Sequence, residues 1–83
     1  MEGREARLKW RCRRGMRELD AVLQAFLRDS FAGLSEADKS RFEAILELPD
    51  PELYGYLARR VEPADSHDAR LFELIRSSLR PSP

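Results

Sequence analysis

Cysteine and histidine are almost missing from this chain, with Cys12 and His67 the only examples of each. A lone thiol cannot close an internal disulfide, which fits a reducing compartment. A structural zinc site needs about four Cys- or His-type ligands, so these two residues cannot build one alone. They could formally pair as nucleophile and base, but no catalytic motif surrounds either, and no enzyme is expected. Cys12 reads instead as a small residue packed on a helix face, and His67 as a solvated loop residue. Long apolar runs are missing as well. None approaches the roughly 20 residues that cross a bilayer. The first residues hold no apolar secretory core, and Glu2 and Glu5 are wrong for a transit peptide. A cytoplasmic chain is therefore expected, with no direct membrane insertion. There is no β-type alternation, no internal repeat and no G-x-G-x-x-G, which leaves nothing to cradle a dinucleotide.

What remains has a compact-domain composition: 42% hydrophobic residues and 36% charged. Eighty-three residues make a single domain over 1–83, with 1–4 and 80–83 expected to fray. A domain of this size buries only about 60–65% of its unfolded surface, so its stability margin is small. The charge sums to zero but is unevenly placed. Residues 1–17 hold seven Lys or Arg against two Glu, or +5, and residues 18–83 hold eight against thirteen acids, or −5. A basic end facing an acidic body suits a docking surface more than a general nucleic-acid binder, which is usually basic throughout.

The apolar spacing predicts an all-α bundle of five short helices. Ala6/Trp10 and Leu8/Cys12 pair at i, i+4 over residues 5–14, and Gly15 follows where a C′ glycine would stand. Met16, Leu19, Val22, Leu23, Phe26 and Leu27 mark a second helix, with Glu18 and Asp20 near its start, where carboxylates are favoured. Phe31 could extend its stripe before Gly33 stops it. Ser35-Glu36-Ala37-Asp38 is a variant capping box opening a third helix with Phe42, Ile45 and Leu46 inward. Asp50-Pro51 supplies an N-cap and an N1 proline for a fourth helix, with Leu53, Leu57 and Val61 inward and Tyr54 alongside. Gly55 should keep that helix short. The fifth helix is expected over 67–79, with Leu71, Leu74, Ile75 and Leu79 inward.

The stripes account for the core and leave the basic cluster "KWRCRRGMRELD" at residues 9–20 unexplained. A helix-turn-helix DNA reader would need polar or basic residues along its outer face. Residues 18–31 instead carry Arg28 alone against Glu18, Asp20 and Asp29. A membrane-surface helix would need a broader apolar face than Ala6, Leu8, Trp10 and Cys12 provide. Neither nucleic acid nor membrane is expected as a partner.

The cluster and the later stretch "FEAILELPDPELYGYL" resemble the SdhE family, also labelled YgfY or CptB. These are small bacterial helical proteins related to the mitochondrial flavinylation factor of succinate dehydrogenase. Its R-G-x-x-E motif is met by Arg14, Gly15 and Glu18, and the similarity continues through Arg7, Trp10, Asp20 and residues 48–57. The resemblance spans roughly residues 6–79. It implies a factor that assists covalent attachment of FAD to the flavoprotein subunit of succinate dehydrogenase or fumarate reductase. In that chemistry a client histidine bonds to the 8α carbon of the isoalloxazine. No cofactor would be held stably by this chain, since the FAD belongs to the client. The CptB label implies, secondarily, an antitoxin-like or nucleic-acid-binding regulatory module.

The same resemblance places partner binding on Arg7, Trp10, Arg14, Gly15, Met16, Arg17 and Glu18. Gly15 allows φ > 0 and removes a side chain that would hold a partner away. Arg14 and Glu18 could then offer a forked donor and an acceptor. They could equally form an ion pair with each other at a helix corner, and both uses are compatible. Trp10 could serve either core or interface, with the core and one exposed edge slightly favoured. Every strong stripe is needed for so small a core, so the free chain should be monomeric. Sedimentation at micromolar concentration is expected to show one species near 9.6 kDa, and a stable dimer burying residues 7–18 would contradict this docking mode.

Overall fold

The period-3.6 stripes become five helices in the computed structural model, which describes residues 2–78. They are α1 (Glu2–Arg11), α2 (Arg17–Asp29), α3 (Glu36–Ile45), α4 (Asp50–Leu57) and α5 (Ser66–Ser77), with a 3₁₀ turn over Phe31–Gly33 after α2. The radius of gyration is 11.9 Å, against about 11.8 Å for a compact domain of this length. α2 packs on α1, on the 3₁₀ turn and on α5, while α5 also packs on α3 and α4. The two long amphipathic helices are thus the inner pair.

Of the residues on the expected inner stripes, Leu19, Leu23, Phe26, Phe42, Ile45, Leu46, Leu53, Leu71 and Ile75 are buried. Leu57 is half-buried. Leu8, Cys12, Phe31 and Phe72 complete the cluster. Phe42 sits between Phe26 and Phe31, with ring centroids 5.1 and 5.7 Å away, at tilted angles favoured by aromatic pairs. Tyr56 stacks on Phe72 at 5.1 Å. Cys12 has no exposure, and burial pushes its thiol up to about 11, which leaves it protonated and unreactive at neutral pH.

Several expectations need correction. Residues 2–4 belong to α1, because Arg4 is fastened to Glu43 and to Glu36 of α3. Val61 is 52% exposed. α4 stops at Leu57, and Arg59 takes φ +62°, so the i, i+4 relation to Leu57 is broken before it reaches Val61. Leu74 is 38% exposed: the inner face of α5 is centred on Leu71, Phe72 and Ile75, one helical step round from Leu74. Leu79 and the tail at 80–83 lie outside the described residues. Asp50 is the first residue of α4 and makes no cap, Pro49 being the N-cap residue.

His67 is also misplaced by the sequence reading. It lies in the first turn of α5, half-buried, with Nε2 2.5 Å from Asp38 Oδ1. Ser35 does cap α3 by accepting the Asp38 N–H at 3.1 Å. The Asp38 carboxylate does the other half of its work across the bundle, taking His67 and Arg70 from α5. Nearby, Arg41 of α3 pairs with Asp65 and Asp68, and Asp65 caps α5 through the His67 N–H.

These partners, His67 first and then Arg70, hold the Asp38 carboxyl below its ordinary value of 3.8. A carboxylate whose pKa is lower in the fold stabilises it above the unfolded value and loses that contribution as pH falls through the folded value. Asp38→Asn is therefore expected to melt below wild type at pH 7, with the gap closing below about pH 4. Melting curves at pH 7, 5 and 3 check this; a gap that persists unchanged at pH 3 would contradict it.

Candidate functional site

The α1–α2 corner is built by one carboxylate and one guanidinium. After Arg11, the Cys12 and Arg13 N–H groups still reach Leu8 and Trp10 carbonyls, closing the last turn of α1. The next two N–H groups turn to Asp20: Arg14 N donates to Oδ1 at 2.6 Å and Gly15 N to Oδ2 at 3.3 Å. Two successive N–H groups can converge on one anion where the backbone changes hand. Gly15 does so with φ +84°. α1 ends at Arg11, two residues earlier than a C′ role for Gly15 would require, so this glycine is the pivot of the linker. A Cβ placed on it would meet nothing within 4 Å, so the space beside it is open.

Arg14 points the other way, into the fold. Its Nε donates to Asp50 Oδ1 at 2.8 Å. Nη1 donates to the carbonyls of Leu46 (2.6 Å) and Arg11 (3.1 Å), and Nη2 to that of Leu48 at 2.5 Å. Leu46 is the C-cap of α3 and Asp50 opens α4. One guanidinium thus satisfies carbonyls that two helix ends leave without intrahelical donors, at the negative end of the α3 dipole. Only 13% of the Arg14 side chain is exposed. The expectation of a fork presented outward is therefore corrected: the fork is occupied internally. Its ion partner is Asp50 and not Glu18.

The other residues of the expected surface lie outside. Arg7, Gly15, Arg17 and Glu18 are exposed and Met16 is half-buried. Trp10 is 72% exposed, which corrects its expected place in the core: Leu8 and Cys12 fill the inner face of α1, and Trp10 falls on another. The Arg13 guanidinium lies over its ring, 5.3 Å from the centroid. Among the described residues no hydrogen bond, ion pair or ring contact joins Trp10 or Arg7, on α1, to Glu18, on α2.

The basic segment is also less charged outwardly than its composition suggests. Arg4, Arg11 and Arg14 pair with Glu43, Glu47 and Asp50 of the acidic body. Arg7, Lys9, Arg13 and Arg17 have no ion pair among the described residues. That leaves a small basic rim around an aromatic ring, too little for a phosphate-tracking stripe. Among the described residues no His, Cys, Asp or Glu group could hold a metal, and no helix is long and apolar enough to cross a membrane.

Two surface depressions flank α2. One, of about 310 Å³, lies between α2 and α4, bounded by Glu18, Val22, Tyr54, Leu57, Ala58 and Arg76. The other, of about 630 Å³, lies between α1 and α2 and mixes Glu5, Lys9 and Arg28 with Ala6, Leu27 and Ala32. Sequence spacing could not reveal either, because each is assembled from three elements: α2, α4 and α5 for the first, and α1, α2 and the 3₁₀ turn for the second. Asp20 and Asp50 were equally hidden: both read as acids favourable at helix starts, whereas their carboxylates bind the linker and Arg14.

Comparison with known proteins gives a consistent result. Residues 6–79 match the family described as the flavinator of succinate dehydrogenase. The chain is 41% identical over 73 residues to the FAD assembly factor SdhE of Yersinia pseudotuberculosis, covering 88% of this chain and 83% of that one. It is 37% identical over 75 residues to the FAD assembly factor SdhE of Pseudomonas aeruginosa, covering 90% and 89%. With the Coxiella burnetii protein of the same name it shares 37% over 70 residues, covering 84% and 85%.

The Arg14 arrangement yields a stability test. Removing a guanidinium that is largely desolvated strands three carbonyls and the Asp50 carboxylate, at a cost of about 2–3 kcal/mol. For a domain of this length that is a fall in Tm of roughly 8–24 °C. Arg14→Ala is expected to show this in thermal unfolding; a melt like wild type would mean the corner does not depend on Arg14.

Proposed function

The chain belongs to the family of the flavinator of succinate dehydrogenase, and from that premise we propose that it promotes covalent attachment of FAD to a flavoprotein subunit. The client is the flavoprotein subunit of succinate dehydrogenase or of fumarate reductase. It acts as an assembly factor and not as an enzyme. FAD belongs to the client, and the factor holds the client in a form that attaches its own cofactor. The factor works in the cytoplasm and is monomeric until it meets its client.

The docking surface comprises Arg7, Trp10, Gly15, Met16, Arg17 and Glu18, with Arg14 shaping it from beneath. The observation that carries this reading is the division of labour within the motif. Arg14 is tied to two helix ends and Asp20 holds the linker, so neither is available to a partner. Together they keep Gly15 at φ +84° with open space beside it. Glu18, in the first turn of α2, is left exposed with no ion pair among the described residues. An arrangement serving stability alone would have no use for that open corner, since a carboxylate near a helix start contributes only about 0.3–1 kcal/mol. Trp10 adds an apolar ring of the kind that anchors protein interfaces.

Glu18→Ala is expected to melt almost as wild type while sharply reducing covalent FAD on the client, read as in-gel flavin fluorescence under denaturing conditions. Normal melting with undiminished flavinylation would show that Glu18 does not dock the client. Unfolding would assign the exposed carboxylate a structural role instead.

A further inference from the structure

Glu18 belongs to two features at once: the motif corner and the rim of the groove between α2 and α4. Val22, Tyr54, Leu57 and Ala58 form the apolar sides of that groove, and Arg76 closes its far end. Val22, Tyr54 and Leu57 pack on the core but remain half-buried, so one side of each still faces the groove. Its volume of about 310 Å³ is at the lower limit of small-molecule sites, about 300–1,000 Å³. That is room for a side chain or two and not for a dinucleotide.

The charges along this groove are unequally satisfied. The Arg76 guanidinium donates to the carbonyls of Leu57 and Tyr56, both at 2.9 Å, and pairs with Glu73. Its charge is answered within the fold. Arg60 lies over the Tyr54 ring at 5.6 Å. Glu18 alone among the lining residues presents a charge with no counter-ion among the described residues. The groove therefore offers apolar walls ending in one free carboxylate.

We propose that this groove is a second part of the client-docking surface, receiving a client segment in which an aliphatic or aromatic side chain stands beside a lysine or arginine. The apolar side chain lies between Val22 and Leu57, and the neighbouring cation reaches Glu18. The inference rests on the docking role proposed above and extends it by stating the chemistry of what docks. Continuity supports it, because Glu18 is shared with the motif corner. Charge supports it, because only a cation completes the site. An acidic segment would be repelled, and a purely apolar one would leave the carboxylate partly desolvated without a partner.

The test uses the full chain and the client subunit lacking FAD. A photo-cross-linking p-benzoylphenylalanine replaces Ala58, which is exposed beyond the end of α4, and the cross-linked client peptide is mapped by mass spectrometry. The expected peptide has an aliphatic or aromatic residue within about two positions of Lys or Arg. Ala58→Trp, which fills the groove, is expected to weaken client binding about tenfold or more with little change in Tm. Should that variant unfold, the cross-link map decides alone. An acidic peptide, a cross-link only to a second copy of this chain, or wild-type binding by a folded Ala58→Trp overturns the groove assignment. The same probe at Trp10 separates the two levels: client cross-links from position 10 but not 58 overturn the groove and leave docking at the corner. No complex of the wild-type chain with the client overturns both.

Discussion

The guanidinium of Arg14 is the point on which the corner of this bundle depends. It touches the C-cap carbonyl of α3, the last carbonyl of α1, the loop carbonyl of Leu48 and the first carboxylate of α4. It is also carried by the linker that joins α1 to α2. Four helices are thereby referred to a single planar group, in a chain too short for several independent layers of core. Lysine could keep the charge but not the geometry, since the four donated bonds leave in directions only a fork provides. The linker backbone answers in the same currency: Asp20 accepts the two N–H groups that no helix claims. Gly15 takes its left-handed conformation because those bonds require it.

This explains why a motif can be short and still specify a surface. Within R-G-x-x-E the first residue works inward and the last faces solvent, so the motif joins the interior to the exterior over five positions. In the docking mode proposed above, a partner recognises Glu18 and the space beside Gly15. The fold recognises Arg14. Substitutions at these three positions therefore act through different physics, although they lie next to one another in sequence.

Much of the bundle was legible in the sequence because its signals are local. Stripes at i, i+3 and i+4 placed Leu19, Leu23, Phe26, Phe42 and Ile75 correctly in the core, and Ser35 announced the start of α3 through its cap. Trp10, Leu74 and Val61 were misplaced because hydrophobic identity does not fix which face a residue occupies once a helix ends early or its axis turns. The corner was legible as a place but not as a mechanism. Arg14 and Asp50 are separated by 36 residues, and Asp38 and His67 by 29, so their pairing is decided by how helices pack. No spacing rule reaches that far. The family resemblance named the corner, but that Arg14 turns inward is decided by partners 32 to 36 residues away.

Trp10 has an optical consequence. It is the only tryptophan in the chain, it lies largely in water, and a guanidinium sits over its ring. Most small domains carry their indole in the core, where its emission records unfolding. Here the indole is solvated in the folded state as it would be in the denatured one, so its fluorescence is a poor gauge of stability. It is instead a built-in probe of the α1 surface: a partner that covers the ring removes water from it and shifts its emission to the blue, with no label attached.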